Sequence, residues 1–138
     1  MIKCKDSKGL LSGCTSLGYT EDGSMILGGC LDGSLQGFWT KNNFHRPEIV
    51  IRNAHRSQEE YSSILSMDNG RKIASRNGDG TLKIWDTRNF TKPIIHYGNL
   101  PCSFPGSKMC LSPNGEYLLV GTSICQEMTE DEGHLHFL

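Results

Sequence analysis

Apolar and polar residues alternate along this chain in short runs broken by glycine-containing turns, and no segment sustains the 3.6-residue apolar period of an amphipathic helix. The alternation predicts strands at residues 14–20, 25–31, 34–40, 48–53, 62–67, 72–77, 81–87, 93–97, 108–112, 117–123 and 134–138. Between them, Asp22-Gly23, Asn69-Gly70 and Asn114-Gly115 carry the signature of type I′ hairpin turns, in which both central residues need positive φ. Asp32-Gly33 and Asp79-Gly80 mark a second turn in the same rhythm. The expected fold class is all-β, built from antiparallel hairpins.

The pattern repeats. Gly23-Ser-Met-Ile-Leu-Gly-Gly-Cys-Leu-Asp-Gly-Ser-Leu-Gln-Gly-Phe38 aligns with Gly70-Arg-Lys-Ile-Ala-Ser-Arg-Asn-Gly-Asp-Gly-Thr-Leu-Lys-Ile-Trp85 at an offset of 47 residues. Each copy runs from a turn glycine through an apolar strand to an Asp-Gly pair, then a small hydroxyl residue, a leucine and an aromatic. A third copy begins at Asn114-Gly115, 45 residues beyond the second, and resumes after an interruption at Gly133. About four strands in about 45 residues is the period of a propeller blade. It sets three four-stranded antiparallel, blade-like repeats at about 14–55, 61–97 and 107–138. Propellers close with four to eight blades, so residues 1–138 are expected to form a partial propeller.

Composition sharpens this reading. Of 138 residues 36% are apolar, enough for one core, and the 16 glycines, well above the usual ~7%, are accounted for by the turns. Fourteen Lys and Arg oppose fifteen Asp and Glu, which disfavours direct nucleic-acid binding by phosphate neutralisation. The charge is uneven: residues 41–92 carry a net +4 and residues 93–138 a net −4, which reads as a solvated surface. No apolar run approaches the ~18 residues of a membrane span, and no apolar stretch follows Lys3, Lys5 and Lys8 as it would in a secretory leader. An intracellular, reducing compartment is therefore expected. The cysteines Cys4, Cys14, Cys30, Cys102, Cys110 and Cys125 include no CxxC pair and are expected to be reduced thiols, most of them packed as small hydrophobes in apolar strands.

Ile73-Ala-Ser-Arg-Asn-Gly-Asp-Gly-Thr-Leu-Lys-Ile-Trp-Asp86 resembles the heart of a WD repeat. The resemblance implies a WD-repeat β-propeller with a structural tetrad of His55, Ser75, Asp79 and Trp85. In that tetrad a buried aspartate takes hydrogen bonds from the imidazole and turn amides, while the serine hydroxyl and the indole N–H hold the imidazole. His55 is then structural rather than catalytic. The first copy has Gly28, Phe38 and Trp39 in place of the serine, the tryptophan and the following aspartate, and the third has Ile124 where the turn aspartate belongs. Those copies are expected to rely on packing alone. The stretches around Trp85 to Pro93, Phe104-Pro105 and Gly121 to Ile124 are similar to the gastrulation-defective type of WD-repeat protein, over roughly residues 10 to 138. Residues 125–132 depart from the short glycine-rich connection of that type.

Candidate chemistry is sparse. No phosphate-binding glycine motif is present, and no Ser/His/Asp or Cys/His set has a recognisable spacing. His134 and His136 would point to one face of a strand, but no third ligand follows at metal-site spacing. Cys125 and the acidic run from Glu127 to Glu132 read as a solvated loop, and neither a cofactor nor a resident metal is expected. Ile84-Trp85-Asp86-Thr87-Arg88 resembles the WDxR box through which some WD proteins dock on the damage-specific DNA-binding adaptor of cullin–RING ubiquitin ligases. Thr87 stands where that box has an aliphatic residue, and Arg76 follows Ser75 where small residues are usual. The resemblance implies a non-enzymatic protein-interaction scaffold with other proteins as partners. It further implies a nuclear substrate receptor in the DNA-damage response, with Asp86 and Arg88 meeting the ligase adaptor. The alternative is a propeller that reads modified peptides or nucleic acid through its central channel.

Overall fold

A computed structural model of the chain describes residues 2–42, 44–104, 106–124 and 132–137, with residues 123–124 and 132–137 described by backbone alone. Eleven strands and no helix are formed among the described residues: β1 (Cys14–Tyr19), β2 (Met25–Cys30), β3 (Leu35–Trp39), β4 (Ile49–Ile51), β5 (Tyr61–Met67), β6 (Lys72–Asn77), β7 (Leu82–Asp86), β8 (Ile95–Tyr97), β9 (Met109–Leu111), β10 (Leu118–Ile124) and β11 (Glu132–Phe137). Every strand expected from the alternation has a counterpart, with ends shifted by up to two residues. No helix among the described residues is long and apolar enough to cross a membrane.

The strands form three antiparallel sheets in sequential order, β1-β2-β3-β4, β5-β6-β7-β8 and β9-β10-β11. The third has three strands among the described residues, where four per repeat were expected. A register shift interrupts the first hairpin of the first sheet between Cys14 and Ser16, and the matching hairpin of the second between Tyr61 and Ser63. The repeat thus extends to its irregularities.

The turns depart from the dipeptide reading. Only Asn69-Gly70 has both central residues at positive φ, 51° and 79°, as type I′ demands. At Gly23, Gly33, Gly80 and Gly115 the glycine alone is left-handed, and its amide donates to the carbonyl three residues earlier, as in Gly33 N–H to Cys30 at 2.9 Å. These are type I turns ending on a left-handed glycine, a loop that Asp-Gly serves equally well because the aspartate accepts from the amide two residues on.

Apolar faces of adjacent sheets pack together. Leu27, Leu35, Ile64, Ile73 and Trp85 are buried between the first and second sheets, and Ala74, Leu82, Ile84, Met109 and Val120 between the second and third. Each fully buried aliphatic side chain contributes about 1.5–3 kcal/mol. The segment from β4 to β5 crosses from one sheet to the next and is pinned at both ends. His55 N–H donates to the Gly33 carbonyl at 3.0 Å, Gln58 N–H to Leu31 at 2.7 Å, and the Tyr61 hydroxyl to Gly33 at 2.9 Å. This crossing carries His55 onto the second sheet.

Candidate functional site

His55 leaves the crossing segment with its ring fully buried and sets it edge-on against Tyr61, the centroids 5.0 Å apart. Beneath it lie Ser75 on β6, Trp85 on β7 and the β6–β7 turn bearing Asp79 and Thr81. The hydrogens in this cluster can be placed by elimination. A carboxylate only accepts, so Thr81 Oγ1 gives its one hydrogen to Asp79 Oδ1 at 2.6 Å. His55 Nδ1, 2.8 Å from the Thr81 oxygen, must then donate to it. Burial keeps the ring neutral, so Nε2 carries no proton and accepts from Ser75 Oγ at 2.8 Å. Trp85 Nε1, which only donates, gives its hydrogen to the Ser75 oxygen at 2.9 Å. The result is a one-way chain from indole to carboxylate in which the Ser75 and Thr81 hydroxyls are both paired, an arrangement that strengthens each bond in it.

The Asp79 side chain is 7% exposed and lies 3.5 Å from His55 Nδ1. Its oxygens also accept from the Arg56 amide at 3.0 Å and the Thr81 amide at 2.9 Å. Burial alone would raise its pKa, but these donors outweigh burial and hold the carboxyl well below its ordinary value. For His55 burial dominates, and although Asp79 recovers part of the shift, the imidazole is pushed below its ordinary value. A neutral histidine with both nitrogens engaged has no lone pair to offer a substrate, which fits a structural latch. The four residues of the expected tetrad therefore meet in one network, with one difference: the indole reaches the imidazole only through the serine hydroxyl. Thr81 was missed. Its signal was the hydroxyl residue that follows Asp-Gly in both of the first two copies.

The first sheet does not rely on packing alone. Asp32 accepts from Ser34 Oγ at 2.7 Å and from Ser12 Oγ at 3.3 Å, and pairs with Arg52 at 3.1 Å. The aspartate turn is kept while Gly28 and Phe38 remove the serine and indole, and the replacement donors come from flanking segments that the repeat alignment does not cover. The side chain of Ile124 in the third copy lies outside the described residues.

Asp86 and Arg88 lie at the end of β7. Arg88 Nε donates to Asp86 Oδ1 at 2.9 Å and Nη2 to Oδ2 at 2.7 Å, while the Arg88 amide also donates to Oδ1 at 2.9 Å. The guanidinium side chain is 74% exposed. Hydrogen bonds from Arg88 hold the Asp86 carboxyl well below its ordinary value. The pair occupies one edge of the guanidinium fork and leaves the Nη1/Nη2 edge facing solvent.

The five described cysteines are free thiols. The expectation that they pack as small hydrophobes holds for Cys4 and Cys30, which are buried, but not for Cys14 and Cys110, which are exposed. Among the described residues one set of three could ligate a metal ion jointly, Cys14 and Cys30 on the first sheet and Cys4 from the segment before it. Cys125, the run from Glu127 to Asp131, and the side chains of Glu132, His134 and His136 lie outside the described residues.

Comparison with known proteins agrees with this geometry. Residues 48–86, which hold the whole His55 network, match the family model of the WD domain, G-beta repeat. The chain carries a WD repeat. This WD-repeat chain is 32% identical over 130 residues to the gastrulation defective protein 1 homolog of Drosophila melanogaster, covering 94% of the chain and 20% of that protein. It is 37% identical over 110 residues to WD repeat-containing protein 70 of Bos taurus, covering 80% of the chain and 17% of that protein. The chain thus spans about a fifth of the length of the curated relatives it matches. WD-repeat proteins serve as protein-interaction scaffolds and are generally not enzymes.

The network sets how this WD-repeat unit responds to acid. The folded state favours neutral His55, so the unfolded chain binds more protons once the pH falls below the ordinary histidine value of 6.5. Stability from His55 is fully present above that value and is lost as the pH drops below it. Asp79, lowered in the folded state, contributes stability above its ordinary value of 3.8, and that part is lost at still lower pH. Denaturant midpoints measured from pH 8 to pH 3 are expected to fall in two stages, and His55→Gln should remove the first. A midpoint that stays constant between pH 7 and pH 5 would contradict the neutral-histidine assignment.

Proposed function

We propose that this WD-repeat chain forms part of a nuclear substrate receptor that docks on the adaptor of a cullin–RING ubiquitin ligase in the DNA-damage response, with Arg88 as the docking residue. The observation that carries this reading is the Asp86–Arg88 fork. Asp86 fixes the guanidinium at an exposed strand end, so its free Nη1/Nη2 edge is oriented before any partner arrives, and such an edge suits two acceptor oxygens. Arginine fixed in advance loses less side-chain freedom on binding. The resemblance of Ile84 to Arg88 to the WDxR box supports the same partner, and the role refines the scaffold function of the family.

In the full-length protein, Arg88→Ala is expected to weaken adaptor binding by about tenfold or more, read by quantitative co-purification or titration. Arg88→Lys should rescue only partly, because an ammonium cannot reproduce the planar fork. Asp86→Ala should fall between the two, since the arginine remains but loses its anchor. Adaptor binding unchanged in Arg88→Ala would leave the scaffold role without this partner.

A further inference from the structure

The first sheet holds a feature that the scaffold role does not use. The Sγ atoms of Cys4, Cys14 and Cys30 all lie within 4.8 Å of one another, two from buried residues and one from an exposed residue. Cys14 on β1 sits directly opposite Cys30 on β2. Cys4 is brought to them by the segment before β1, which is firmly held. Gln36 Nε2 donates to the Lys5 carbonyl at 2.8 Å, Arg52 Nη1 to the same carbonyl at 2.9 Å, and Ser12 N–H to the Cys4 carbonyl at 3.0 Å. Besides one another, the thiols meet backbone carbonyls at long range, Cys14 donating to Ser16 at 3.4 Å and Cys30 to Gly28 at 3.8 Å.

Space for the cluster is provided by Gly28. A Cβ there would lie 3.1 Å from Cys14 Sγ and 3.6 Å from Cys4 Sγ. The matching position in the second sheet is Ser75, and the position matching Cys14 is Tyr61. Where one sheet builds its hydroxyl and imidazole network, the other has removed the serine side chain and gathered three sulfurs. Cys4 and Cys14 also line a groove of about 620 Å³ over β1 and β2.

We propose that Cys4, Cys14 and Cys30 form a three-thiolate binding site for a soft, thiophilic metal ion of the Cu(I) class. Three sulfurs on a rigid frame suit Cu(I), which is satisfied by three thiolates, whereas structural zinc closes its shell with a fourth protein ligand that the described residues do not supply. Each Cu–S bond formed at a protonated thiol releases its proton to solvent, and copper enters already reduced, so no electron is transferred. The Gln36 and Arg52 bonds to the Lys5 carbonyl hold in place the segment that brings Cys4 from outside the sheet.

The test titrates the reduced full-length protein with Cu(I) under anaerobic conditions against a colorimetric Cu(I) chelator. One equivalent is expected to withstand the chelator, with three sulfur neighbours in its X-ray absorption spectrum. Cys14→Ser, at the exposed corner of the cluster, should weaken retention by at least about a hundredfold. Gly28→Val, which alters no ligand but fills the space between two of them, should weaken it as well. Cys110→Ser, an exposed thiol on another sheet, should leave it unchanged. Failure to hold Cu(I) against the chelator, retention unaltered by Cys14→Ser, or a shell of two sulfurs would each overturn the proposal.

Discussion

Asp79→Ala is expected to destabilise the full-length protein by about 2–4 kcal/mol in denaturant unfolding, because it strands the Thr81 hydroxyl and the Thr81 and Arg56 amides around the place of a carboxylate whose side chain is 7% exposed. The informative comparison is Asp32→Ala at the matching turn of the first sheet. Asp32 is also hydrogen-bonded, but its ion-pair partner Arg52 has a 39% exposed side chain, so water replaces the lost contacts and the cost should stay under about 1 kcal/mol. Equal losses at the two positions would mean that the His55 network adds nothing beyond an ordinary aspartate turn.

A loss of comparable size is expected at a residue with no side chain. Gly33 has φ +80°, and a Cβ there would lie 2.3 Å from the His55 carbonyl oxygen, a backbone atom in a segment pinned at both ends. Gly33→Ala therefore combines a left-handed conformation, which costs an alanine about 1–2 kcal/mol, with a clash that must lift the crossing segment. A total of about 3 kcal/mol or more is expected. Gly23 has a similar φ of +67° with nothing within 4 Å of its Cβ position, so Gly23→Ala isolates the conformational part at about 1 kcal/mol. Denaturant unfolding of both variants separates the two contributions. The second sheet should suffer in Gly33→Ala as well, since displacing the His55 backbone pulls the ring from Ser75.

The strands were legible because period-two alternation reports burial on one face, and in a sheet stacked between two others that signal is local. His55, Ser75, Asp79 and Trp85 were legible because the repeat supplied the alignment. What failed to read, Thr81 apart, depended on residues beyond the stretches that align between the copies. Ser12 and Arg52 reach Asp32 from flanking segments, and nothing in their spacing announces it. Cys4, Cys14 and Cys30 are separated by intervals that fit no chelating motif, and only the β1–β2 pairing and the anchoring of Lys5 to Gln36 bring them together. The turns misled for a related reason: Asp-Gly favours a left-handed glycine in either of two loop types, and the choice is made by the aspartate side chain, as where Ser34 N–H and Oγ donate to Asp32.

That His55 is a structural latch held neutral between a serine and a threonine, rather than an acid–base group, is tested most directly by its nitrogen resonances. In ¹⁵N-labelled protein at pH 7, His55 should be a neutral imidazole protonated at Nδ1, with Nε2 unprotonated and accepting from Ser75. Ser75→Ala should alter the Nε2 resonance, and Thr81→Val the Nδ1 resonance. A neutral ring protonated at Nε2, or an imidazolium at that pH, would contradict the direction of every hydrogen bond assigned from Trp85 to Asp79.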